Sequence, residues 1–322
     1  MGKDGFILGA GVSIEYGYPD GKELVDKIKA TLLSAENFET GFNKSALGFI
    51  LKRSRKIIHE FYENFNRTEI YTIDEYLENH PKYMKIGKLF LASILLDYEK
   101  SSLTYQHKDK ENPQLYQYLF HKLFRTKDDL SNISDYHFIT FNYDLSFEYY
   151  FYEYLIHNLD VSESESKKHV NELNIIHVYG KLGTLNIQDS RKGRKYGEKA
   201  GAEQIEKSAN MIEVINENRS NLDFNKVFEA LKEVDFLFIL GFGFDNLNLK
   251  RLGIFNGNIE YKFCTRRLIY GSCYGKTPEE ISRIYAKVFS KHSTPSALSD
   301  HFSVHKNVKF LRSNISFLQG FD

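Results

Sequence analysis

The chain has 322 residues, 42% of them hydrophobic and 27% charged, which suits one large globular domain or two ordinary ones. Lysine plus arginine equals aspartate plus glutamate at 43 each, so the basic excess of a dedicated nucleic-acid binder is absent. No apolar run approaches the ~20 residues of a membrane span, and no signal peptide is expected ahead of the first strand. A cytoplasmic protein is expected.

Phe6-Ile7-Leu8 is a short apolar strand that empties into Gly9-Ala10-Gly11-Val12-Ser13, with Gly17-Tyr18-Pro19 just behind. Asp20-Gly21-Lys22-Glu23 then opens an amphipathic helix with Leu24, Val25, Ile28 and Leu32 on one face. Strand, glycine loop and helix make a ready phosphate site, because loop N–H groups and a helix N-terminus point at the same place. The match to G-x-G-x-x-G is incomplete, since Ile14 stands where the third glycine belongs, and a purely structural glycine turn is the alternative.

Residues 35 to 130 read as a helical insertion within a single domain, 1–322. Ile57, Ile58, Phe61 and Phe65 share a helical face, and Asn112-Pro113 marks the start of a helix carrying Leu115, Leu119, Phe120 and Leu123. Tyr136 to Phe141 is the second strand, ending in Asn142-Tyr143-Asp144 and followed by a helix with Leu145, Tyr149, Tyr152 and Ile156 inward. The polar stretch Val161 to His169 reads as a loop. Leu173 to Val178 is a third strand, running into Tyr179-Gly180, and Arg191-Lys192-Gly193-Arg194-Lys195 is a basic loop.

A helix over 201–217 and another with Phe224, Val227, Phe228 and Leu231 precede the strand Asp235 to Leu240, which ends in Gly241-Phe242-Gly243-Phe244-Asp245. Tyr261 to Cys264 reads as a further strand, Thr277-Pro278-Glu279-Glu280 as a capping box opening a helix, and Val308 to Leu311 as a last strand. Apolar strands alternating with helices predict an α/β fold, a Rossmann-like three-layer parallel sheet. Its ligand is expected outside the carboxyl ends of the strands, where four suggestive strand ends converge.

Taken in order, Gly-Ala-Gly-x-Ser with Gly-x-Pro, Thr-x-Asn-x-Asp, a histidine near glycine and a Gly-rich strand end resemble the sirtuin superfamily, and more closely the sirtuin-like proteins of bacterial antiphage defence. The motifs span residues 6 to 245. Sirtuin deacetylases carry a four-cysteine zinc ribbon, which two cysteines, Cys264 and Cys273, cannot build. The resemblance therefore implies the zinc-free branch, which cleaves NAD to nicotinamide and ADP-ribose, with NAD as substrate, no metal, and an abortive-infection role. It also implies a homo-oligomer and a possible partner subunit, such as a HerA-type ATPase or a short Argonaute. No large sensor domain is expected within the chain, and neither sequence-specific nucleic-acid binding nor membrane association is expected.

Carried over by position, Gly9, Ala10, Gly11 and Ser13 match the family's pyrophosphate loop, and Pro19 matches the proline near the nicotinamide ribose. Thr140, Asn142 and Asp144 match Thr-x-Asn-x-Asp, with the asparagine by the scissile bond and the aspartate at the carboxamide end. Gly241 and Gly243 match the turn near the adenosine ribose, with Asp245 or Asn246 in reach of it. The residue types suit the reaction: nicotinamide leaves from an oxocarbenium-like state without a strong acid, a neutral amide such as Asn142 can hold water, and a histidine can accept a proton near neutral pH.

One departure stands out. The family histidine immediately precedes the glycine, where this chain has Tyr179, and the histidine is two residues earlier at His177. Residues i and i+2 of a strand share a face, so His177 is expected as the general base, the alternatives being a core histidine or Tyr179 binding ligand. Asn142 and Asp144 have helix capping as their alternative role, and the basic loop is either solvated or set over the NAD phosphates. Two other functions stay open: an NAD- or ADP-ribose-binding subunit without turnover that regulates a partner ATPase, and an NAD-dependent deacylase.

Overall fold

The computed structural model describes residues 3–37, 39–70, 72–100, 113–214, 221–254, 268–288 and 302–314. Among these, the strands Lys3–Leu8 (β1), Tyr136–Thr140 (β2), Asn174–His177 (β3), Val234–Leu240 (β4), Leu268–Ser272 (β5) and Phe302–Ser303 (β6) form one sheet. Its order is β3-β2-β1-β4-β5-β6, every pairing is parallel, and helices flank it in a Rossmann-like three-layer α/β arrangement. The strand order reverses direction between β1 and β4, and such a switch point leaves a crevice at the carboxyl edge.

The register explains the sheet's cohesion. Phe6 pairs with Phe138 on one side and Phe238 on the other, and Phe238 pairs with Tyr270. Their rings stack across four strands with centroids 5.3, 5.4 and 5.6 Å apart. Aromatic side chains directly opposite one another are among the stronger cross-strand pairs. Phe6, Phe138 and Phe238 are fully buried, as strands covered on both faces require.

The first helical turn, Ala10–Ser13 (α1), follows β1 at once and tightens into a 3₁₀ turn at Ile14–Tyr16. The long helix Gly21–Glu36 (α2) is opened by a capping box in which the Asp20 carboxylate accepts from Glu23 N at 2.8 Å. Helices Thr40–Asn43 (α3), Ala46–Leu51 (α4), Arg55–Phe65 (α5), Ile73–Asn79 (α6), Met84–Tyr98 (α7) and Leu115–Leu123 (α8) make up the helical section. Its buried side chains belong to the same hydrophobic cluster as the sheet, and α7 is buried on nearly every side.

Beyond it lie Ser146–Leu159 (α9), Glu163–Glu172 (α10), Ala202–Met211 (α11), Asn221–Glu233 (α12), Asn246–Arg251 (α13), Pro278–Val288 (α14) and a final helix Asn307–Asn314. No helix among the described residues is long and apolar enough to cross a membrane.

Several elements differ from the sequence reading. Val161 to His169 is not a loop: Ser162 caps α10 by accepting from Glu165 N, a capping signature masked by the polar helix it opens. Val308 to Leu311 lies in the helix Asn307–Asn314, where Phe310 and Leu311 face inward. An apolar run that short does not by itself separate strand from helix. Helix α8 starts at Leu115 after Gln114, and the Asn112 expected to cap it lies outside the described residues. Helix α11 stops at Met211, because the next residue, Ile212, bridges to Gly180. Tyr261 to Cys264 lies outside the described residues, and β5 and β6 were not anticipated.

Candidate functional site

A cleft of about 600 Å³ opens at the carboxyl edge of the sheet, within the roughly 300–1,000 Å³ usual for small-molecule sites. One wall comes from the strand ends: Gly9, Ala10 and Ser13 after β1, Phe141 to Asp144 after β2, Tyr179 after β3, and Phe242, Gly243 and Asp245 after β4. The opposite wall comes from Tyr18 to Gly21 and Leu24 and, in the helical section, from Thr72 to Glu75, Glu78 and Leu95.

The glycines do something other than cradle a phosphate. Gly9 N donates to Leu240 O at 2.9 Å, Gly11 N to Gly241 O at 2.9 Å, and Val12 N to Gly9 O at 3.0 Å. The backbones of the two strand ends touch here. A Cβ on Gly9 would lie 2.5 Å from Gly241 O, and one on Gly241 would lie 2.5 Å from Val12 N, with φ of +58° besides. Only glycine fits so close an approach. Most of the expected N–H cradle is therefore spent on the fold.

Asn142 is held from three sides. Its backbone N–H donates to Thr140 Oγ1 (3.1 Å), while its Nδ2 donates to Gly9 O (3.1 Å) and to Ser13 Oγ (2.9 Å). A carbonyl only accepts, so the Gly9 contact identifies the nitrogen and fixes which way the amide faces. Both Nδ2 hydrogens are used, and Oδ1 has no partner among the described residues. Ser13 Oγ in turn donates to Asp144 Oδ2 (2.7 Å), and Asp144 Oδ1 accepts from Ser146 N (3.1 Å) and Ser146 Oγ. Burial pushes the Asp144 carboxyl above its ordinary range against these donors. Asp144 thus locks the loop that carries Asn142, and both its oxygens are already engaged.

His177 does not line the cleft. The chain turns after β3, with Gly180 N donating to His177 O, so only Tyr179 reaches the cleft wall. The His177 Nδ1 donates to Asn142 O at 3.0 Å, and Nε2 lies 2.9 Å from Glu148 Oε1 with both side chains buried. Burial works to raise the Glu148 carboxyl, but the His177 imidazole and Lys181 outweigh it and hold the group below its usual range. Neither ring nitrogen presents a lone pair to the cleft.

Of the other expected residues, Gly9, Ala10, Ser13, Pro19, Asp144, Gly243 and Asp245 line the cleft, whereas Gly11, Thr140 and Gly241 do not. Asp245 Oδ1 also caps α13, accepting from Leu247 N (2.8 Å) and Asn248 N (3.1 Å). The basic loop stays away from the cleft: the Arg194 guanidinium pairs with the buried Glu99 and donates to Leu182 O, while Arg191, Lys192 and Lys195 are exposed.

The sequence reading missed a polar cluster at the cleft rim. Arg251 Nη2 donates to Glu78 Oε1 at 2.9 Å and Nη1 to Tyr179 OH at 2.8 Å, and the Tyr179 hydroxyl donates to Asn248 Oδ1. Tyr143 OH donates to Asp74 nearby, and burial pushes the Asp74 carboxyl up despite that bond. No local motif marks Asp74 or Glu78, because they reach the cleft only through the packing of α6.

The chain matches no protein-family model, and no curated protein matches its sequence.

Proposed function

We propose that this protein hydrolyses NAD at the nicotinamide–ribose bond. The observation that carries the reading is Asn142, a residue of the cleft lining whose Nδ2 is tied down on Gly9 O and Ser13 Oγ and whose Oδ1 has no partner among the described residues. An acceptor fixed in this way orients a water by taking one of its hydrogens, which leaves an oxygen lone pair for the anomeric carbon. The C1′–N bond breaks with its electron pair going to the pyridine nitrogen. The water oxygen bonds to C1′, and its proton leaves to solvent. Charge supports the reading as well: six carboxylates (Asp20, Asp74, Glu75, Glu78, Asp144, Asp245) line the cleft and favour a ligand with a cationic ring. Depletion of NAD by such an activity fits an antiphage role, in a cytoplasmic oligomer or alongside a partner ATPase or Argonaute.

The arrangement of His177 favours a second reading, ligand binding without turnover, because no histidine lone pair is offered to the cleft. Nicotinamide release by the purified protein, beside Asn142→Ala, separates the two. Release that falls at least ~100-fold in the variant supports hydrolysis. ADP-ribose binding without release by the wild type supports the second reading.

A further inference from the structure

The geometry points to Arg251 as the group that receives a phosphate of the ligand, with Glu78 as a built-in competitor for it. The inference rests on the NAD reading for the identity of the substrate, but not for the chemistry of the subsite. Among the described residues lining the cleft, Arg251 is the one basic side chain. Its side chain is 15% exposed, and the guanidinium uses two of its five N–H donors, on Glu78 and on Tyr179. The remaining donors have no partner among the described residues. A planar fork held on two sides with donors to spare is the geometry that binds a phosphate oxyanion.

The other anion sites that the fold offers are compromised. The N–H groups of Gly9, Gly11 and Val12 bond to backbone carbonyls, and the N-termini of α2 and α13 are capped by the Asp20 and Asp245 carboxylates, which also line the cleft. A phosphate at either helix terminus would meet a like charge. Arg251 remains, and Glu78 on the opposite wall places its negative charge on the same guanidinium. Glu78 therefore orients Arg251 and at the same time weakens its hold on any anion that arrives.

The pair makes opposite-signed predictions for its two members. Glu78→Gln keeps an oxygen to accept from Nη2 but removes the charge, so binding of a diphosphate strengthens. Arg251→Gln removes the cation, so binding weakens.

The test is calorimetric binding of ADP, with phosphate-free adenosine as control, to the wild type and both variants. The expected result is that ADP affinity falls ~10-fold or more in Arg251→Gln and rises about threefold in Glu78→Gln, with adenosine unchanged in both. Weaker ADP binding in Glu78→Gln would overturn the proposal, as would a parallel loss of adenosine affinity in Arg251→Gln. So would a wild type that binds ADP no better than adenosine. The gain expected of Glu78→Gln cannot arise from damage to the fold, and none of these readouts needs turnover. A protein that binds ADP as expected but releases no nicotinamide would fail the hydrolase reading alone.

Discussion

His177 Nε2 lies 2.9 Å from Glu148 Oε1, with the two side chains 6% and 0% exposed, while the other ring nitrogen holds the backbone carbonyl of Asn142. A histidine at the expected strand end is thus turned away from the cleft and used to brace Asn142, which lines it.

Removing His177 leaves the Glu148 carboxylate buried without its partner, which costs about 3–5 kcal/mol. His177→Ala is expected to lower stability to urea by that order, and Glu148→Gln, whose amide can still hydrogen-bond the imidazole, by less. The Glu148 carboxyl is held below its ordinary 4.5 in the folded state, so the folded protein binds fewer protons than the unfolded chain. The stabilisation is present above that pH and lost as pH falls through the folded value. Denaturation curves should show this acid-side loss in the wild type and a weaker one in Glu148→Gln. A His177→Ala protein of unchanged stability that releases no nicotinamide would return His177 to the role of base.

The two ends of the glycine-rich turn after β4 should respond differently to the same change. Gly241→Ala places a methyl 2.5 Å from Val12 N at a φ of +58° and is expected to cost more than ~2 kcal/mol. Gly243 has nothing within 4 Å of its would-be Cβ, so Gly243→Ala should leave the melting temperature nearly unchanged. A ligand-binding defect in folded Gly243→Ala would then report the approach of the ligand itself.

Ser13→Ala removes the acceptor of one Asn142 hydrogen and the donor to Asp144 together. One lost bond to a buried charged group costs about 1.5–3 kcal/mol. Nicotinamide release should fall further than stability implies, because Asn142 loses one of its two anchors. The ratio of release to folded fraction, measured beside Asn142→Ala, checks this.

At the opposite edge of the sheet, burial, Asp235 and Asp135 push the Asp4 carboxyl up from 3.8 to about 7. The folded state then binds more protons than the unfolded chain between those values, so this group's contribution to stability falls as pH rises from about 4 to 7. Asp4→Asn should raise stability at pH 8 by roughly 1–3 kcal/mol, since each unit is worth about 1.4 kcal/mol and solvent screening trims the total. Equal stability of variant and wild type at pH 8 would contradict it.

The sequence by itself determined the parallel sheet and the edge that carries the cleft. Buried strands such as Phe6 to Leu8 and Phe236 to Leu240 read as continuous apolar runs, and the Gly, Asn and Asp that end them stand out against those runs. It also put Ser13, Asn142 and Asp144 just after strands that end at that edge, and the structure brings the three side chains into contact. It did not determine the direction of a side chain once the strand had ended. The period of two that put His177 and Tyr179 on one face stops at the turn through Gly180, and only the tertiary structure sends one ring to Glu148 and the other to the cleft. Glu78 and Arg251 were illegible for a different reason. They lie 173 positions apart, and a contact made by packing two helices over a crevice leaves no local pattern in either segment.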